Sequence, residues 1–217
     1  MMPSSIEPLF RHQCHIYDGP PSRHLPGLAA VIHQKLKENH RCLYLDSPPM
    51  VAGMRSYLAA DGVDVTNETN KSALILSSDH NHLKDGLFDV DKMMHTLEQA
   101  LNQALSDGFA GLWASGDMSW EFGPAKDFSK LLEYEWRLEQ FLRDHPQMGG
   151  SCNYHIDTLP REVVRRGFLS HHSLLVNETL SLINPLYLQR EAFTPKAESD
   201  PEVELFLTSI LESKIAV

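Results

Sequence analysis

The chain has 217 residues, 42% hydrophobic and 22% charged, with a formal net charge of -10. That size suits one globular domain with a substantial core, and the acidic balance, without any Lys/Arg cluster, argues against direct binding to a phosphate backbone. Three cysteines without tight spacing (Cys14, Cys42, Cys152) argue against a disulfide framework and for a reducing, cytoplasmic setting, while the lack of an apolar run of about 18 residues argues against a membrane span.

Residues 1–10 read as a loose leader without the apolar core of a signal peptide. A first strand is expected at 11–17. There, His12, Cys14 and Ile16 alternate onto one face, and His15, on the other, reads as structural or exposed. A loop with three prolines and a glycine follows at 18–26, and Leu28, Ala29, Val31, Ile32 and Leu36 then set a helical spacing that ends near Asn39. Residues 41–46 read as a second strand and 49–60 as a helix closed by Asp61-Gly62, with Val63-Asp64-Val65 as a short edge strand. Ala73-Leu74-Ile75-Leu76 is a short buried strand. The helix opened by Phe88-Asp89 carries the stripe Val90, Met93, Met94, Leu97, Leu101, Ala104 and Leu105. Gly111 to Ala114 then reads as a strand and 126–144 as a helix, with Glu133–Arg137 and Glu139–Arg143 as outer i,i+4 pairs. A strand at 151–154, a helix at 160–170, a strand or hairpin arm at 174–176 and a tail helix at 201–213 complete the chain.

Strands alternating with helices predict an α/β fold of three layers, with a mainly parallel sheet and helices on both faces. Ligands of such sheets sit outside the carboxyl ends of the strands. This singles out Tyr17 and Asp18, Asp46, Ser77 to Asp79, Ser115 to Trp120, and Tyr154 to Asp157. The loop after the first strand has the position of a phosphate-binding loop and the wrong chemistry. Pro20, Pro21 and Pro26 lack the N–H donor, no lysine precedes a Ser or Thr, and Asp18 would repel phosphate.

Twelve histidines invite a metal reading. A zinc site needs three or four ligands drawn from Cys, His and carboxylate. His12, Cys14 and Cys152 could meet if their strands are neighbours, with His171 as a fourth. The plainer alternative makes all three cysteines small hydrophobes and His12 a hydrogen-bonded core residue. A Cys14 nucleophile is disfavoured because Cys14 sits in mid-strand. Trp113, Trp120, Met118 and Tyr134 are most simply core. Asp117 and Glu133 are either solvent-facing charges or carboxylates near a pocket, and Glu133-Tyr134-Glu135 stands early in a helix, where acids favour the dipole regardless of function.

Five segments occur in an order that carries a resemblance. They are His12-x-Cys14-x2-Tyr17, Gly111 through Trp120, Glu133-Tyr134-Glu135, Cys152-Asn153-Tyr154 and Asn184-Pro185-Leu186-Tyr187. Across about residues 8–190 the chain resembles the MEDS domain, a sensory module named for methanogens and methylotrophs and found in a regulator of dichloromethane degradation. The resemblance implies a RecA/KaiC-like core without nucleotide hydrolysis, a role in signal transduction and transcription regulation, and sensing of simple hydrocarbon derivatives. Carried over by position, the family's characteristic polar residues are His12, Cys14, Tyr17, Cys152, Tyr154 and His171. The chain departs from the family at Trp113 or Ala114, where Arg is frequent, and at His155, where the family often has Asp.

The expected function is a non-catalytic ligand-binding domain acting through a regulatory protein partner in trans, since no room for an output module is expected. The alternatives are a protein-interaction scaffold or regulator derived from a RecA-like ATPase, binding a kinase, a transcription regulator or itself, and a His/Cys metal-binding protein. The candidate ligand-binding residues are His12, Cys14, Tyr17, Asp46, Asp117, Trp120, Cys152, Tyr154 and His171, and the candidate metal ligands are His12, Cys14 and Cys152.

Overall fold

The computed structural model describes residues 11–177 and 180–212. The expected leader at 1–10 and the last residue of the expected tail helix lie outside the described residues. Strands β1 (His12–Tyr17), β2 (His40–Leu45) and β3 (Leu74–Ser77) alternate with helices α1 (Leu25–Lys37), α2 (Pro48–Ala60) and α3 (Val65–Asn70). The small hairpin β4 (Leu83–Lys84) and β5 (Leu87–Phe88) precedes α4 (Val90–Ser106), β6 (Gly111–Asp117), α5 (Met118–Glu121), α6 (Leu131–Asp144) and β7 (Met148–His155). Helix α7 (Arg161–Ser170), strands β8 (Ser173–Val176) and β9 (Leu180–Ile183), and helices α8 (Pro195–Glu198) and α9 (Pro201–Glu212) complete it.

Seven strands form one sheet in the order β3-β2-β6-β7-β1-β8-β9, parallel throughout except for the β8–β9 pair. The fold is therefore the expected α/β fold with a mainly parallel sheet. Alternation along each strand feeds two cores. On one face Cys42, Tyr44, Leu74 and Trp113 pack with Leu28 and Ile32 of α1 and Met54 and Leu58 of α2. On the other, Cys14, Ile16, Leu112, Cys152 and Tyr154 pack with residues of α4, α6, α7 and α9.

One local expectation is corrected, and two further features stand out. Val63-Asp64-Val65 is no strand: the Asp64 carboxylate accepts from the Asn67 N–H at 3.0 Å and starts α3, because an N-cap satisfies donors that a lone edge strand would leave open. The sequence Lys84-Asp85-Gly86-Leu87 makes a hairpin turn with φ of 52° and 81° at its centre, a chain reversal that Asp-Gly favours. The apolar stripe of α9 finds its partner surface in this chain. Val203, Leu207 and Ile210 are buried in the same core as α7, where the rings of Phe168 and Phe206 lie 5.9 Å apart. Among the described residues no helix is long and apolar enough to cross a membrane.

Candidate functional site

Pairing of β1 with β7 sets Cys14 beside Cys152. His12 and Cys14 on β1 and Cys152 and Tyr154 on β7 share the face covered by α6 and α7. Helix α6 adds Glu135 and Glu139, one turn apart, and the end of α7 adds His171. The group that results is buried and dense. His12 Nε2 lies 3.3 Å from Glu135 Oε2 and 3.6 Å from Cys152 Sγ, and its Nδ1 lies 3.0 Å from Glu139 Oε2. Cys152 Sγ is 3.5 Å from Glu135 Oε2, and His171 Nε2 is 3.4 Å from the same oxygen. The Tyr154 hydroxyl donates to Glu135 Oε1, and His171 Nδ1 donates to the Gly167 carbonyl at 2.7 Å. One donor atom from each of His12, Glu135, Cys152 and His171 lies within 4.8 Å of the others.

Charge in this layer is concentrated on few groups. Burial acts to lower the His12 pKa, but hydrogen bonding and attraction to Glu135 and Glu139 outweigh it and carry it up to about 9. Burial, followed by repulsion from His12, holds His171 down at about 4. Burial opposes ionisation of Glu135, yet the histidines and the Tyr154 hydroxyl reverse this and keep its pKa below the usual carboxylate range. The thiols of Cys14 and Cys152 are pushed well up by burial and by the Glu135 charge. Without a bound cation the arrangement is an imidazolium at His12 clamped between two carboxylates, beside two protonated thiols.

A cavity of about 20 Å³ adjoins the cluster, with room for one or two water-sized molecules. Its apolar wall includes Met93, Leu97, Leu138 and Met148, and His12, Cys152 and Glu121 supply polar atoms. Glu121 is buried, and burial and nearby carboxylates push its pKa well above the usual carboxylate range. Gly116 makes its place: a Cβ there would meet Glu121 Oε1 at 1.7 Å.

The structure does not gather the candidate residues at one cavity. His12, Cys152, Tyr154 and His171 converge, and Cys14 is adjacent but outside the four-donor set, so the expected metal trio of His12, Cys14 and Cys152 is corrected. Tyr17 lies five residues along β1 from His12, about 16 Å at strand rise, and on the opposite face. It belongs with Asp46 and Asp117 at the carboxyl ends of the strands. The Tyr17 hydroxyl donates to Asp117 Oδ2 at 3.3 Å, and the Tyr44 hydroxyl donates to Asp46 Oδ2 at 2.7 Å. Asp117 Oδ1 also caps α5 by accepting the Trp120 N–H at 2.9 Å, so its carboxylate already has structural work. Trp120 is buried and stacks on His80. His15, placed as structural or exposed, is fully buried beside Tyr17 and His24.

Two acids were missed. Glu133 is at the surface with Lys130, but Glu135 is fully buried and Glu139 partly so. The signal was available: Leu131, Glu135, Leu138 and Leu142 share a helical stripe, so Glu135 stands where a hydrophobe is expected.

A family model described as "MEDS: MEthanogen/methylotroph, DcmR Sensory domain" matches residues 11–172, well over half of the chain. No curated protein matches it. The matched span contains His12, Glu135, Cys152 and His171.

Proposed function

Because the chain belongs to the MEDS family of sensory domains, we propose that it binds a small hydrocarbon derivative beside His12 and Cys152, without turning it over, and signals occupancy to a regulatory protein partner. The observation that carries this reading is the juxtaposition of a small, mostly apolar cavity with convergent polar groups from β1, β7 and α5. The volume limits the ligand to a few heavy atoms. At a ceiling of about 1.5 kcal/mol per heavy atom, three atoms give about 4.5 kcal/mol, or a Kd near 1 mM. Polar anchoring by Cys152, His12 or Glu121 is what would separate one small molecule from another.

Absence of catalysis is supported by the thiols, whose raised pKa values make them poor nucleophiles. Helix α6 lines the cavity through Tyr134, Leu138 and Leu142 and also carries Glu135 and Glu139. A shift of α6 on filling the cavity is the simplest route to a partner. Strand β9, which ends the sheet among the described residues and has Ile183 half exposed, offers an edge to either that partner or a second copy of the chain.

The test is a melting-temperature screen with one- and two-carbon alcohols, aldehydes and halides, repeated on Leu97→Phe, which fills the cavity. A ligand-dependent rise that disappears in Leu97→Phe is expected. No rise with any member of the panel, or a rise that survives the filled cavity, overturns the reading. Light scattering distinguishes a self-associating chain from one that awaits another protein.

A further inference from the structure

We infer that His12, Glu135, Cys152 and His171 form a tetrahedral site for one divalent transition-metal ion, with zinc the best match to the donor set. Two imidazoles, a thiolate and a carboxylate are ordinary zinc ligands, with bonds of roughly 2.0–2.3 Å. A tetrahedron with those bonds has edges of about 3.3 Å between N or O donors and about 3.6 Å where sulfur takes part. Four edges already have such lengths. They are His12 Nε2 to Glu135 Oε2 at 3.3 Å, His171 Nε2 to Glu135 Oε2 at 3.4 Å, Cys152 Sγ to Glu135 Oε2 at 3.5 Å, and Cys152 Sγ to His12 Nε2 at 3.6 Å.

A second observation is independent of those distances. His171 Nε2 is fully buried and makes no hydrogen bond. Its Nδ1 faces the Gly167 carbonyl, so Nδ1 carries the proton and the neutral ring aims the Nε2 lone pair at the Glu135 carboxylate. Two lone-pair centres 3.4 Å apart repel, and a cation between them turns that repulsion into two bonds.

The surroundings of each ligand fit the same assignment. Metal-bound histidines characteristically donate the other ring nitrogen to a carboxylate or a backbone carbonyl, and bound carboxylates are themselves hydrogen-bonded. Here His12 Nδ1 is directed at Glu139, His171 Nδ1 at the Gly167 carbonyl, and Glu135 Oε1 takes the Tyr154 hydroxyl. A doubly positive ion with one thiolate, one carboxylate and two neutral imidazoles is electrically neutral, which a fully buried position requires. On loading, Cys152 gives up its thiol proton and His12 the Nε2 proton of its imidazolium, both to solvent. The assignment stands on donor geometry alone and holds whether or not the cavity is a sensing site.

The experiment uses the full chain purified under reducing conditions, dialysed against zinc and then against metal-free buffer. Elemental analysis is expected to find one zinc per chain. The cobalt-substituted protein is expected to show intense four-coordinate d–d bands and a thiolate-to-metal charge-transfer band. That band is expected to vanish in Cys152→Ala and to persist in Cys14→Ala. Should Cys152→Ala fail to fold, X-ray absorption on zinc-loaded wild type gives the same answer, with one sulfur at about 2.3 Å and three N/O neighbours. A folded chain that retains no zinc, a charge-transfer band that survives Cys152→Ala, or a sulfur count of zero or two overturns the assignment.

Discussion

Gly167 lies directly against the ring of Tyr154: a Cβ built on it would meet Tyr154 Cζ at 2.2 Å. Helix α7 presses onto β7 at this point, and the contact aims the Tyr154 hydroxyl at Glu135. Gly167→Ala would gain up to about 1 kcal/mol of helix propensity. The ring is fully buried, so overpacking of about 1–3 kcal/mol outweighs that gain. Urea denaturation is expected to show net destabilisation, and a smaller loss when the ring is removed by Tyr154→Leu. Equal losses in both backgrounds would show that the ring is not what the new methyl strikes.

Glu135 and His12 form a buried ion pair, and such pairs are costly to break from one side only. With metal removed by a chelator, Glu135→Gln is expected to cost on the order of 3 kcal/mol because His12 keeps its charge with Glu139 as its remaining carboxylate partner. In a His12→Gln background the same substitution should cost less, with a coupling energy of about 0.5–3 kcal/mol in the double-mutant cycle. Strict additivity would mean that the two side chains do not interact across the 3.3 Å that separates them.

At the other end of the sheet Asp46 carries a pH dependence of opposite origin. Burial, and then the charge of Asp117, push its pKa up to about 7, against the pull of hydrogen bonds from Tyr44 and Ser47. The unfolded value is about 3.9. Between these values the folded chain binds the extra proton, so Asp46 lowers stability as pH rises from about 4 to about 7, and no further above. Asp46→Asn keeps the shape and an acceptor for the Ser47 N–H. Its stability relative to wild type is expected to improve by at least about 1 kcal/mol from pH 4 to pH 8, since one pKa unit corresponds to about 1.4 kcal/mol. Denaturation curves at the two pH values check this, and a difference that does not change with pH rules it out.

The alternation of β-rich runs with helical stripes made the layer order readable, because each period reports which face of an element is buried. The turn at Asp85-Gly86 and the cap at Asp64 are equally legible in the sequence, since both are local side-chain chemistry. The site was half readable. His12 and Cys152 announce themselves by type, but nothing in linear spacing says that β1 lies between β7 and β8. That adjacency decides that Cys152 and His171, and not Cys14, complete the donor set. Glu135 was misjudged because a helix-start position and a buried stripe position make opposite statements about an acid, and the stripe decides when another layer covers the helix.

The last helix gives a test of whether the tail belongs to the same cooperative unit. Leu205 and Leu207 are two residues apart on α9, yet Leu205 is 72% exposed and Leu207 is fully buried among residues of the α6–α7 core. Arg161 on α7 donates to Glu204 at 2.8 Å, which fixes the rotation of α9 so that Leu207 faces inward. Leu207→Ala removes a buried side chain and leaves a cavity, a loss of about 2–5 kcal/mol. Leu205→Ala removes surface contact only and should stay within about 0.5 kcal/mol. If α9 were an appendage, Leu207→Ala would loosen the helix alone and leave the main unfolding transition where it was. A shift of the whole transition in Leu207→Ala, monitored by tryptophan fluorescence from Trp113, Trp120 and Trp136, which lie outside α9, is the expected result.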